Sequence, residues 1–172
     1  MNFFVYGRNR PGMDDVRTAT TEEHWSFMDR YADVMIARGP TFVSEDESTG
    51  SVHIVDLPDV AAARAFAFEE PYYLAGVFAD VIIRRWRNVL GRTMWQFVGR
   101  DLPRFLVLGD GAGPDEDWPA GDGVIVWGPL LSDDGTQRLG TAMLVEAPDA
   151  DAAAALLPGG QVHRWRFGGR DA

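Results

Sequence analysis

The sequence predicts an α+β fold of the ferredoxin-like kind, tandemly repeated, with an eroded second unit. Three observations carry this. Strand-like and helix-like segments alternate as β-α-β-β-α-β over the first half of the chain. Gly, Pro and Asp punctuate the segments where turns are needed. A shortened version of the same cadence returns later. The halves run from about 1 to 98 and from 99 to 172.

Asn2 to Tyr6 is an aromatic and β-branched run ended by Gly7, hence a strand. Arg8 to Ala19 is polar, with a turn at Pro11-Gly12. Thr20 to Pro40 reads as the best helix. Thr20 and Glu23 have capping-box spacing, Glu22 and Glu23 sit where the helix dipole favours acids, and Gly39-Pro40 ends the segment. Glu22, Ser26, Asp29, Arg30 and Asp33 form a polar stripe, opposite Phe27, Met28, Tyr31, Val34 and Met35. His24 points away from the polar stripe. It is either a core histidine bonded to a neighbour or a cavity histidine one turn from the helix start.

Thr41 to Ser44 and Ser51 to Asp56 are the next strands, joined by an acidic turn. Pro58-Asp59 opens an alanine-rich helix, Val60 to Phe68. Glu69-Glu70-Pro71 ends it, Tyr72 to Gly76 is a loop or single turn, and Val77 to Trp86 is a strand. Arg92 to Val98 has strand character, as does Arg104 to Leu108. Residues 110–123 are loop, rich in glycine, proline and acids. A helix from Asp149 to Leu157 and a strand from Gln161 to Phe167 complete the chain.

The repeat rests on ordered matches. Gly50 to Asp59 aligns with Gly140 to Asp149, Gly39-Pro40 with Gly128-Pro129, and Arg85-Trp86-Arg87 with Arg164-Trp165-Arg166. The second unit has loop where the first has its long helix, and it lacks the Glu70-Pro71-Tyr72 segment. In a ferredoxin-like layer the helices cover one sheet face. The other face is expected to pack on the second half as a barrel or sandwich within one chain, or to pair between chains. The assembly is thus a monomeric pseudo-dimer or a homodimer.

Composition narrows the partners. The 172 residues carry 26 acidic and 16 basic side chains, a formal charge of -10. That disfavours nucleic acid and anionic membranes. The small-molecule ligand expected as partner follows from the site residues below. There is no cysteine. No apolar run is long enough to span a bilayer. The N-terminus lacks signal-peptide character, so a cytoplasmic protein is expected. The histidines, His24, His53 and His163, are far apart in sequence, and no metal site is predicted. Neither a dinucleotide fingerprint nor a phosphate loop occurs.

Alternation puts Ser51, His53 and Val55 on one face of their strand. The long helix and this strand can meet only on the helix-covered face or at its rim. Ser51, first in its strand and next to the turn, can lie at that rim near His24, while His53 faces either layer. Glu70 and Tyr72 follow the second helix and can bring a carboxylate and a phenol nearby. A histidine beside a carboxylate is the usual form of a tautomer-fixed general base. The plainer readings are a turn serine, a solvated helix-end glutamate and a core tyrosine.

His24 on its helix, Gly39-Pro40, Gly50-Ser51 and Glu70-Pro71-Tyr72 followed by Ala75-Gly76-Val77-Phe78 together resemble the YCII-related (YciI-like) family over about residues 1 to 97. The resemblance implies a dimeric α/β-barrel type of ferredoxin-like fold, in which sheets pair. It also implies a histidine-aspartate site with a nearby serine, and, in one branch, chloride removal from a chlorinated hydroxyhydroquinone. Carried over, the histidine is His24, the serine Ser51, and the acid Glu70 in place of aspartate. The family often has an arginine just before the histidine; here Thr20 and Thr21 stand there, with Arg17 further off. The expected protein is a small cofactor-free lyase or dehydrochlorinase-like enzyme, with catalytic His24, Glu70 and Ser51 and substrate-binding Tyr72, Arg8 and His53. The alternative is a non-catalytic ligand-binding or structural protein.

Overall fold

Eight antiparallel strands close into one barrel in the order β1-β3-β2-β8-β5-β7-β6-β4. This is a computed structural model, and it describes residues 1–111 and 113–170. The first half supplies β1 (Asn2–Asn9), α1 (Asp14–Asp29), β2 (Met35–Ser44), β3 (Glu47–Asp56), α2 (Val60–Phe68), α3 (Pro71–Leu74) and β4 (Phe78–Trp86). The second supplies β5 (Arg104–Gly109), β6 (Val124–Leu131), β7 (Arg138–Glu146), α4 (Ala150–Ala155) and β8 (Gln161–Trp165).

Alternation along each strand sorts the apolar side chains into layers. Phe4, Tyr6, Val52, Ile54, Leu144 and Trp165 fill the barrel. Phe3, Val5 and Val55 point outward and pack with Phe27 and Met28 of α1 and Ala63 and Phe66 of α2. On the other side, Val107, Trp127 and Val145 pack with Ala153 of α4. Both faces of most strands are therefore covered, which explains their nearly continuous apolar runs.

The two halves join by equivalent seams. Thr41 and Phe42 of β2 pair with Trp165 and Arg164 of β8. Leu130 and Leu131 of β6 pair with Trp86 and Arg85 of β4. Within each half the register is also equivalent: Pro40 faces Ser51, and Pro129 faces Thr141. Both seams need glycine. A Cβ on Gly39 would fall on the Arg166 carbonyl oxygen, and one on Gly128 on the Arg87 carbonyl oxygen. The inner sheet faces thus meet within the chain.

Several elements depart from the sequence reading. α1 starts six residues earlier, where Asp14 and Asp15 occupy the first turn and meet the helix dipole. The Thr20–Glu23 cap does not form, because Thr20 is already inside the helix and its hydroxyl donates to the Val16 carbonyl at 2.7 Å. α1 ends at Asp29, and Met35, Ile36 and Ala37 instead begin β2, where the barrel buries them. Gly39-Pro40 lies inside β2 rather than in a turn. Proline offers no N–H to a ladder, but its carbonyl accepts from Arg166 N at 3.3 Å. Arg92 to Val98 forms a 3₁₀ turn, Met94–Gln96, with Met94 buried in the barrel cluster and Trp95 half exposed. Residues 110–123 are loop, of which Ala112 lies outside the described residues. No helix among the described residues is long and apolar enough to cross a membrane.

Gly39→Ala is expected to lower unfolding free energy by about 1–3 kcal/mol, since the Cβ meets backbone rather than a yielding side chain. Urea unfolding checks this; an unchanged midpoint would show that the β2–β8 seam is not closely packed.

Candidate active site

Four elements of the first half and the chain after β8 surround a cavity of about 570 Å³. α1 presents Arg17, Thr21, His24 and Met28 to it, spaced so that they share one helix face. β3 presents Ser51 and His53, which share a face as alternation predicts, and that face is the outward one. Arg38 of β2 pairs directly with His53 across the ladder, so it shares that face. The α2–α3 junction brings Tyr72, and the segment after β8 brings Arg166 to Arg170.

Glu70 stands behind His24. It is the N-cap of α3, and Pro71 follows at the start of the helix, where proline is favoured. Its Oε2 accepts from the Tyr72 backbone N–H at 2.9 Å and meets His24 Nδ1 at 2.9 Å. The His24 and Glu70 side chains are only 9% and 4% exposed. A carboxylate at Nδ1 assigns the proton to that nitrogen and leaves a lone pair on Nε2. Among the described residues Nε2 has no hydrogen-bond partner, and the ring lines the cavity. Tyr72 lies flat against His24, with ring centroids 4.0 Å apart and planes 14° apart. Its hydroxyl bonds Thr21 at 3.0 Å.

Burial, followed by the nearby charges of Arg17 and Arg38, depresses the His24 pKa from 6.5 to about 3. Burial likewise brings His53 to about 3, with His24 adding to the effect. Burial raises the Glu70 pKa, against the pull of the His53 charge and the Tyr72 N–H. The free site therefore holds His24 as the neutral base.

The structure brings together five of the six residues expected from sequence. Ser51 is buried and its hydroxyl accepts from Arg17 at 2.8 Å. His53 stands 5.4 Å from His24, centroid to centroid, and meets Phe66 edge-on. Arg8 is elsewhere. Alternation in β1 puts it on the barrel side with Tyr6, away from the helix-facing cavity. Its guanidinium is spent on Asp80, at 2.6 Å. The β1 residue that does reach the site is Asn9, which accepts from Arg17 at 3.1 Å.

The sequence reading missed Arg17, Arg38, Thr21 and Arg166. Arg17, which that reading set apart from the site, approaches the Tyr72 ring at 4.6 Å. A helix begun at Asp14 would have exposed the signal, because Arg17, Thr21 and His24 then fall at i, i+4 and i+7. No comparable pattern marks Arg166. Among the described residues no cluster of three potential metal ligands occurs. In the second half, Thr141 occupies the register of Ser51. It accepts from Arg138 at 2.8 Å, and Arg138 also donates to the Pro114 carbonyl at 3.3 Å. Loop covers this position where α1 covers the first.

The YCII-related domain model matches residues 1–87, half of the chain. The chain belongs to the YCII-related family. An uncharacterised protein of Haemophilus influenzae is 28% identical over 97 residues, 52% of this YCII-related chain and 99% of its own. The 5-chloro-2-hydroxyhydroquinone dehydrochlorinase TftG of Burkholderia phenoliruptrix AC1100, solved with 2,5-dihydroxybenzoquinone, is 28% identical. That likeness covers 51% of this chain and 95% of TftG, with a TM-score of 0.49. A candidate chlorite dismutase, TA0507, matches across both halves, with 12% identity over 96% of this chain and 94% of its own and a TM-score of 0.55. A candidate monooxygenase of Lactobacillus acidophilus NCFM does so with 6% identity over 96% and 92% and a TM-score of 0.51. The last two support the ferredoxin-like α/β-barrel fold over 96% of the chain.

Stability should fall as pH drops from about 6.5 towards 3, because the unfolded chain protonates His24 and His53 there while the folded chain resists. Glu70 acts in the opposite sense above 4.5, since its folded form holds a proton longer, and makes the slope shallower. Urea titrations at several pH values should show His53→Gln less pH-sensitive than wild type. A wild-type stability that rises on acidification would contradict the assignment.

Proposed function

We propose that this YCII-related protein is a small enzyme in which His24 performs general acid-base chemistry on a small oxygenated substrate, as a lyase or dehydrochlorinase-like catalyst. One observation carries the reading: the imidazole is anchored through Nδ1 on buried Glu70 at 2.9 Å while its other nitrogen is left to a cavity. Nε2 takes a proton from the substrate. The electron pair so released moves into the substrate, and a leaving group on the neighbouring carbon departs with its bonding pair. Glu70 holds the ring and stabilises the imidazolium that forms. Ser51 and His53 offer groups to a substrate oxygen, and Tyr72 supplies an aromatic wall. The base, its orienting acid and these donors all come from the chain itself.

We also infer that residues 99–172 are a degenerate copy of residues 1–98, standing where a second subunit would stand. The equivalent seams and the shared Pro40–Ser51 and Pro129–Thr141 register support this. So do Asp59 and Asp149, each capping its helix by accepting a backbone N–H at 2.8 Å. The chain is then a single-site pseudo-dimer. Sedimentation should give a 19.0 kDa species, and a species of twice that mass would refute the monomer.

A binding role without turnover is favoured by one feature, the stacking of His24 on Tyr72 in a setting that lowers its basicity. Turnover of a panel of chlorinated and unsubstituted hydroxyhydroquinones separates the two. His24→Asn should reduce kcat/KM by about 10²–10⁴-fold, the usual share of a general base. Because free His24 has a pKa of about 3, kcat/KM should stay level from pH 8 down to 5 rather than fall near 6.5. Unchanged turnover in His24→Asn would remove His24 from the mechanism. Binding of panel members without turnover in wild type would favour the binding role.

A further inference from the structure

We propose that the cavity selects small organic anions, held by Arg17 and Arg38 of the first half together with Arg166 of the second. This rests on, and deepens, the reading of the cavity as a substrate site.

All three arginines line the cavity. Among the described residues none lies within 4.0 Å of a carboxylate, although Asp14, Glu45 and Asp46 also line it. Arg17 spends its hydrogen bonds on neutral oxygens, those of Asn9 and Ser51. Arg38 donates to the Gly168 carbonyl at 3.1 Å. Arg166 approaches the Phe42 ring at 5.0 Å. Glu70 and Asp14 offset part of the charge on Arg17, which Arg166 in turn opposes. Among the described residues no carboxylate touches the three guanidiniums, and an anion bound between them would make that direct contact. The rest of the molecule makes the contrast sharper. With a formal charge of -10, the protein as a whole disfavours anions, so an anion would need the local field of these three guanidiniums.

The second half fixes its contribution firmly. Arg166 N donates to the Pro40 carbonyl at 3.3 Å, and Gly168 N to the Arg38 carbonyl at 3.1 Å. Beyond them Arg170 does pair with acids, meeting Glu22 at 2.7 Å and Asp29 at 3.0 Å on α1. The segment is thus tied to β2 at Arg166 and Gly168 and to α1 at Arg170, which fixes the Arg166 backbone at the cavity. A planar guanidinium on so fixed a backbone suits a carboxylate or another oxyanion. Occupancy would also act on the base. Arg17 and Arg38 both disfavour the protonated imidazole, and an anion beside them offsets that repulsion.

Calorimetric titration of the full chain with benzoate and with its neutral isostere benzamide tests the proposal. Benzoate should bind one per chain, and benzamide at least about tenfold more weakly, the scale of one charge-assisted contact. Arg166→Gln should weaken benzoate by about tenfold and leave benzamide unaffected, and Arg166→Lys should recover part of the loss. Equal binding of the two probes, no saturable binding of benzoate at millimolar concentration, or unchanged affinity in Arg166→Gln would overturn the proposal. The comparison of probes on wild type needs no variant to fold. His24→Asn should still bind benzoate. Its loss of turnover bears on the catalytic reading alone, and failure of anion selectivity bears on this one alone.

Discussion

The contact between His24 and Glu70 is the interaction around which the functional half of the molecule is arranged. Two ionisable groups are buried against each other, and each makes the other's burial tolerable. An unpaired carboxylate so deep would carry a penalty of several kcal/mol. Glu70 is also the cap of α3, so one oxygen orients the imidazole and starts the short helix that delivers Tyr72. Disturbing the carboxylate would therefore affect the tautomer of His24, the start of α3 and the wall of the cavity together.

Barrel closure explains how the second half reaches this site without carrying a histidine-carboxylate pair of its own. β8 crosses onto β2 because Gly39 leaves room for the Arg166 backbone. The same crossing delivers Arg166 to the cavity mouth and lets Arg170 lie along α1. The equivalent crossing of β4 onto β6 leads instead to the loop-covered surface around Thr141, where Arg138 and Pro114 take up the available contacts. Matching strand register thus carries a cavity under α1 on one side and a loop-covered position on the other.

Much of this was legible in the residues. Val60–Phe68 was read at its observed limits because alanine content, the Asp59 cap and the following Glu-Pro agree at every level. Periodicity turned His24 away from the polar stripe and put Ser51 and His53 on a common face, but which layer that face met was not legible in β3 itself. The start of α1 was not legible, since Thr20–Glu23 offered a plausible cap inside what is helix interior, and Arg17 was undervalued as a consequence. β2 was misread at its start because Val34 to Ala37 is apolar enough to continue either element, and only the barrel decides between them. Arg8 lay close in sequence to the site, but the two-residue alternation of β1 turns it to the other face. Arg166 depended on the long-range crossing of β8, which the matching Arg-Trp-Arg segments marked as a repeat without revealing what it would touch.

The most direct test is ¹⁵N NMR of histidine-labelled protein at neutral pH. The His24 ring should show a protonated Nδ1 and a lone-pair-bearing Nε2, unchanged as pH is lowered through 6.5. In Glu70→Gln the tautomer preference should weaken or reverse. A His24 ring that titrates near 6.5, or that carries its proton on Nε2 in the wild-type protein, would contradict a base anchored by Glu70 and open to the cavity.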